Sequence, residues 1–245
     1  FLTKSDPRAN AAFMVTAHEA AHQWWGNILL PGRGPGGNIL SEGMAHFSTI
    51  LLFDQVKGPH QRIEFCKRIE ERYGDRRQVD SERSLVKIDG SKRGDQTVTY
   101  DKGGWVFWML LNHMGRERAL AGVQDFIRRY ESPHDYPLLQ DFVAVMREHA
   151  EDVAAFDAFT QQWFFSVVMP EYRIREPRST KAGDGSWQVS FEVENLGTST
   201  MPVEVAAVRG TRFPKEDDKA DEVKAAANEK PDDAYREARQ TVLMG

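Results

Sequence analysis

The sequence predicts a mainly α-helical domain followed by the start of a β domain, and three observations carry that prediction. Apolar residues recur at helical spacing, segment after segment, as far as about residue 168. Glycine and proline pairs punctuate those segments, as at Gly26-Asn27, Gly58-Pro59 and Gly103-Gly104. From Trp187 the period changes, and Trp187, Val189, Phe191 and Val193 alternate with polar residues as in a half-buried strand. The boundary is placed at 170, giving residues 1–170 as the helical domain and 171–245 as the opening of the β domain.

The first helix is predicted from Asp6-Pro7, a cap followed by proline at the first helical position, to the stop at Gly26-Asn27. Phe13, Met14, Ala17, Ala21, Trp24 and Trp25 make it apolar around much of its circumference, so it is expected to be buried. The glycine-rich stretch from Pro31 to Gly37 lacks the Gly-Lys-Ser/Thr ending of a phosphate loop and is read as a connector that swings the chain back. Ser41 is the expected cap of a second helix through Met44, Phe47, Ile50, Leu51 and Val56. A third runs from His60 to Tyr73, followed by a polar loop or lid from Gly74 to Gln96. Further helices fit Trp105–Met114, Arg116–Tyr130, Leu138–Ala150 and Val153–Val168. Trp24, Trp25, Trp105 and Trp108 are assigned to the core first and to a substrate wall second. In the β part, Asn195-Leu196-Gly197 is a turn after which Val203 and Val205 resume the alternation, predicting a hairpin. Residues 215–239 are read as a charged, solvated insertion, and Thr241–Met244 as a further strand.

Composition narrows the function. With 245 residues the chain can bury a substantial core. Its net charge is −5 and its 32 basic residues are scattered, without a basic cluster interleaved with aromatics, which argues against nucleic acid as a partner. The single Cys66 excludes an internal disulfide. The longest apolar run, Trp105 to Leu111, is far too short to span a membrane, and no signal peptide is visible. The chain opens on Phe1 rather than Met, which we read as an excised piece of something longer.

One pattern carries chemistry. His18-Glu19-Ala20-Ala21-His22 puts two imidazoles on one helical face, about 40° apart when residues advance by ~100° each. Two histidines so placed can hold one metal ion, and Glu19 can reach a water on it. A catalytic zinc takes three protein ligands, and Glu42, in Leu40-Ser41-Glu42-Gly43-Met44-Ala45, is the natural third. The alternative is a solvated helix with two surface histidines, which the apolar flanks argue against. The three-histidine variant of the motif fails, because its glycine and third histidine positions hold Trp25 and Ile28. His46, one turn beyond Glu42, is read as a surface or core-edge histidine, with a hydrogen-bonding role behind the metal as the alternative. His60, His113, His134 and His149 lack ligand spacing.

Three segments, His18 to Asn27 (HEAAHQWWGN), Leu40 to Ala45 (LSEGMA) and Tyr100 to Gly104 (YDKGG), resemble in kind and order those of the gluzincin aminopeptidases, the family of aminopeptidase N. The resemblance covers roughly residues 10 to 170. It implies the helical part of a thermolysin-like catalytic domain, with one Zn2+ held by His18, His22 and Glu42, Glu19 as general base, and Tyr100 stabilising the oxyanion. It implies a peptide substrate, and a partial β-sandwich domain opened by the hairpin after residue 171. HQWWG and the glycine-rich loop are most similar to bacterial members, some of them fused to membrane permease segments, so a membrane-attached parent is one expectation and a cytoplasmic one the other. Nineteen residues separate His22 from Glu42, one more than is usual in the family and closer to thermolysin-type endopeptidases, which lack the other two signatures; we read a one-residue loop insertion. The family's Gly-Ala-Met-Glu-Asn-type segment, which holds the substrate's amino group, is not found, so removal of N-terminal residues is an expectation for the intact parent. Endopeptidase action and a non-catalytic peptidase-like binding module remain the alternatives.

Overall fold

A computed structural model of the chain describes residues 11–131, 135–209 and 236–244. They fall into two compact units, Phe1–Val167 and Val168–Gly245.

The first unit is helical. Helix α1 spans Ala11–Ala21; its expected start at Asp6-Pro7 lies outside the described residues. It also ends before the predicted stop. The amides of Gln23 and Trp24 bond three residues back, to Ala20 and Ala21 at 3.1 and 3.0 Å, so His22 sits in the tightened closing turn. Trp25 then turns inward, 4% exposed, and its indole N–H donates to Ser48 at 3.0 Å. Trp24 is 51% exposed, which corrects its assignment to the core. Neighbours on a turn point about 100° apart, so one of the pair had to face water.

The next helical run begins earlier than predicted. A wide π turn at Ile39–Gly43 leads into α2, Met44–Leu52, and a second π turn closes it at Phe53–Lys57. Ser41 is therefore inside the run rather than its cap, and its hydroxyl donates to the Trp25 carbonyl at 3.3 Å instead. Helix α3 spans Gly58–Arg76. The polar stretch after it is anchored rather than free. Leu85, Val86 and Ile88 are buried there, around a 3-10 turn at Leu85–Lys87. A second composite run follows: α4 at Asp95–Thr97, a π turn at Val98–Lys102, and α5 at Gly103–Met114. Helices α6 (Arg116–Tyr130), α7 (Leu139–Glu148) and α8 (Val153–Trp163) complete the unit.

Ile50, Phe53, Phe65, Cys66 and Ile69 form one core cluster, with Phe13, Met14, Trp105 and Trp108 packed against it. The rings of Phe107, Phe126, Phe142 and Phe164 form a second, linking α5, α6 and α7 with centroids 5.2 to 5.8 Å apart. Each fully buried ring contributes about 2–3 kcal/mol by leaving water.

Helices α2 and α5 approach each other unusually closely. A β-carbon on Gly43 would stand 3.1 Å from the Thr99 carbonyl oxygen, and one on Gly104 would stand 2.7 Å from Cβ of His46. Only glycine fits at Gly104. The glycines of both signature segments are thus contact points that bring the π turns at Ile39–Gly43 and Val98–Lys102 together.

The described residues of the second unit form four strands in two antiparallel two-stranded sheets. β1 (Tyr172–Lys181) pairs with β2 (Trp187–Asn195), and β3 (Met201–Arg209) pairs with β4 (Arg236–Met244). The expected pairing of Trp187–Val193 with the Val203 strand is corrected. At Asn195-Leu196-Gly197 the amides of Leu196 and Gly197 bond back to Glu171, which directs the chain away from β2. The strand predicted at Thr241–Met244 starts earlier, so Arg236–Arg239 belong to β4, not to a solvated insertion. Residues 215–235 lie outside the described residues. No helix among the described residues is long and apolar enough to cross a membrane.

Candidate metal centre

Helix α1 delivers His18 from its last turn, the closing turn delivers His22, and the first π turn delivers Glu42. In that π turn the amide of Met44 reaches back to the carbonyl of Ile39. The wider loop projects Glu42 out of the helix toward α1. The donor atoms of His18, His22 and Glu42 all lie within 4.8 Å of one another. His18 Nε2 is 3.1 Å and His22 Nε2 3.3 Å from the same oxygen, Oε2 of Glu42.

Hydrogen bonds fix one of these rings. His22 Nδ1 is 2.9 Å from the Trp25 carbonyl oxygen, which can only accept, so Nδ1 carries the proton. That leaves His22 Nε2 facing the Glu42 carboxylate. The hydrogen bond from His18, helped by Tyr100 and by the charge of the two histidines, holds the Glu42 carboxyl below the ordinary carboxylate range against the opposing effect of burial.

These groups line a cleft of about 420 Å³, shared with Glu19, Tyr100, Arg72 and Asp101. Glu19 is exposed, and among the described residues its carboxylate has no hydrogen-bond or ion-pair partner. Tyr100 stands in the π turn at Val98–Lys102, where the amide of Gly103 reaches back to Val98. Its ring stacks on His18 with centroids 5.7 Å apart. Burial first, then the hydrogen bond and charge of Glu42, push its phenol up to about 12, so it stays protonated.

Behind His18 lies an arrangement of which sequence reasoning offered only His46, as the alternative reading, and missed Arg72 and Asp101. His46 is 6% exposed, not a surface histidine, and its Nδ1 is 3.0 Å from His18 Nδ1. Its Nε2 is 3.0 Å from Nη2 of Arg72. Arg72 grips Asp101 through Nε, at 2.8 and 2.9 Å from the two carboxylate oxygens, and through Nη2 as well. Burial, with the charges of His18 and Arg72, pushes the His46 imidazole down to about 3 and keeps it neutral. The one available signal was the spacing of His46 from Glu42, one helical turn on the same face.

The lysine of the third signature segment points away from the cleft. Lys102 Nζ donates to Oε1 of Glu82 at 2.6 Å, and Tyr73 and Arg77 donate to the same buried carboxylate. This ties the π turn at Val98–Lys102 to the loop after α3.

The profile of the peptidase family M1 domain matches residues 2–163. The chain belongs to that family. It is similar to an aminopeptidase N of Haemonchus contortus, 27% identical over 179 residues, a match that covers 68% of this chain and 18% of the relative. Among solved structures it resembles the Legionella pneumophila aminopeptidase A, with a TM-score of 0.52 and 14% identity over 94% of this chain and 23% of that one. It also matches an M1 zinc metallopeptidase of Deinococcus radiodurans, with a TM-score of 0.47 and 16% identity over 64% and 34%. The chain thus spans about a fifth of the length of the curated relative it matches, and family membership supports peptide hydrolysis by a metallopeptidase.

Proposed function

We propose that this chain carries the metal-binding and bond-breaking groups of a zinc aminopeptidase, with one zinc on His18, His22 and Glu42. The observation that carries the reading is the convergence of the donor atoms of His18, His22 and Glu42, all within 4.8 Å of one another. The donor set fits zinc: two imidazole nitrogens and one carboxylate oxygen. Ligands ~2.0–2.1 Å from a tetrahedral ion stand about 3.3 Å from one another, which agrees with the 3.1 and 3.3 Å found here. Zinc bound there would polarise the scissile carbonyl and make water a better nucleophile near neutral pH.

The remaining steps belong to side chains. Glu19, unpaired on the cleft wall, accepts a proton from the attacking water on a carboxylate oxygen and passes it to the departing amine. Tyr100, protonated throughout, donates its O–H to the carbonyl oxygen as negative charge develops there. Cleavage releases a free amine and a carboxylate. The similarity to aminopeptidase N supports the N-terminal residue of a peptide as the substrate group. On this reading residues 1–170 are the helical part of a thermolysin-like catalytic domain, and the two small sheets within 171–245 open a β-sandwich.

Zinc content after metal removal and reloading, measured beside hydrolysis of amino-acyl amides, tests this. One zinc per chain is expected, with Glu19→Gln keeping the metal and losing about 10²–10⁴-fold in turnover. If Glu19→Gln loses zinc, Glu19 is a ligand and the assignment of roles is wrong. Zinc bound with no hydrolysis of any peptide bond would point to a binding module instead.

A further inference from the structure

Helix α3 and the stretch from Gly94 to Asp101 run in opposite directions along one wall of the cleft. Arg72 grips Asp101, and further along Gln78 lies against Gly94, where a β-carbon would stand 2.8 Å from Gln78 Cγ. That register sets Arg76 opposite Gln96 and Thr97, and all three line the cleft. Arg76 follows Arg72 by one helical turn on the same face, and Gln96 precedes Tyr100 by one turn. Each step carries the wall about 6 Å away from the reacting groups, the span of about two residues of extended peptide.

Charge is distributed unevenly along this line. The carboxylates of the cleft lie at its near end, Glu19 and Glu42 beside the histidines and Asp101 held by Arg72. Arg76 at the far end is exposed, and among the described residues its guanidinium makes no hydrogen bond or ion pair. Its basic neighbours are engaged, Arg77 and Lys102 by Glu82, and Arg83 by Asp89 and Asp95. Gln96 and Thr97 add an amide and a hydroxyl that can both donate. An end built of donors around one uncompensated positive charge suits a carboxylate.

We propose that Arg76, with Gln96 and Thr97, forms a subsite for a carboxylate of the substrate, so that the cleft favours peptides with an Asp or Glu side chain within about two residues of the cleaved bond. This rests on the cleft as the site of peptide cleavage. Arg76 touches none of the reacting atoms, so it acts on affinity and leaves the chemical step alone.

Tripeptide amides with Asp at the first, second or third position, each beside its Asn counterpart, test this. Asp and Asn differ in charge and hardly in shape, and the amide removes the terminal carboxylate. Affinities are measured on the zinc-loaded Glu19→Gln chain and on the metal-free wild type, where nothing is cleaved and no zinc is present for an Asp to ligate. At least one Asp peptide should bind about fivefold more tightly than its Asn counterpart, the upper end for an exposed ion pair. That preference should vanish in Arg76→Gln and persist in Arg76→Lys. Equal affinities within all three pairs overturn the proposal, as does a preference that survives Arg76→Gln. In either case cleavage of the Asn peptides by the zinc-loaded wild type keeps the peptidase reading. An Arg76-dependent preference in a chain that cleaves no peptide supports the subsite and removes the peptidase reading; if no peptide binds at all, both fall.

Discussion

Gly104 lies so close to His46 that a methyl group on its Cα would stand 2.7 Å from the histidine's Cβ. Because His46 touches His18, the backbone of α5 is in contact, through one intervening ring, with a proposed metal ligand. Gly104→Ala should cost about 1–3 kcal/mol in urea unfolding, as overpacked cores do, and should weaken zinc binding by moving His46 against His18. Unchanged zinc affinity in a destabilised variant would separate the packing role of Gly104 from the metal site.

Glu42→Ala should leave His18 and His22 as a two-ligand site. Zinc stoichiometry should fall well below one at micromolar metal. Full occupancy at unchanged affinity would remove Glu42 from the ligand set and direct attention to Glu19.

Tyr100→Phe should retain zinc and slow hydrolysis by about 10²–10³-fold, since the ring still stacks on His18 while the O–H donor is lost. Both zinc content and the catalytic constant need measuring. Full activity would assign the ring to packing alone.

Glu82 gives a pH dependence whose direction can be worked out. Burial raises its pKa, but Lys102, Tyr73 and Arg77 together outweigh burial and hold the folded-state value below 4.5. A depressed carboxylate contributes stability that is fully present above the unfolded pKa and is lost as pH falls through the folded one. Acid unfolding below about pH 4.5 should therefore be shallower in Glu82→Gln than in the wild type. Lys102→Met leaves the buried carboxylate with Arg77 and Tyr73 alone and should lower the urea midpoint at neutral pH. Parallel acid limbs in Glu82→Gln and wild type would show that the cluster does not govern acid stability.

Much of the helical unit was legible because its pattern is local. The apolar stripes of Arg116–Tyr130 and Trp105–Met114 identify α6 and most of α5, and the His18, His22 and Glu42 set follows from spacing and flanks. What was missed depends on partners far away in sequence. Ser41 has the chemistry of a cap, but the helix begins upstream of it, and Trp25 supplies its acceptor. The role of Arg72 depends on Asp101, 29 residues further on, and no periodicity announces that pair. Strand partners failed for the same reason: alternation marks a strand but leaves its neighbour undetermined, so β2 was paired with β3 when it lies beside β1.

The π turns at Ile39–Gly43 and Val98–Lys102 have a consequence for how this molecule can change. Each is a helix with one surplus residue, so the stretches before and after it run out of phase by about 100°. Upstream of the offset the chain aims Glu42 or Tyr100 into the cleft; downstream, Met44, Phe47 and Ile50, or Val106, Phe107 and Leu110, keep their apolar faces inward. Deleting one residue from either turn would bring the two phases into step, and either the polar group would swing off target or the core residues at the start of the turn, Ile39 and Leu40 or Val98, would lose their place.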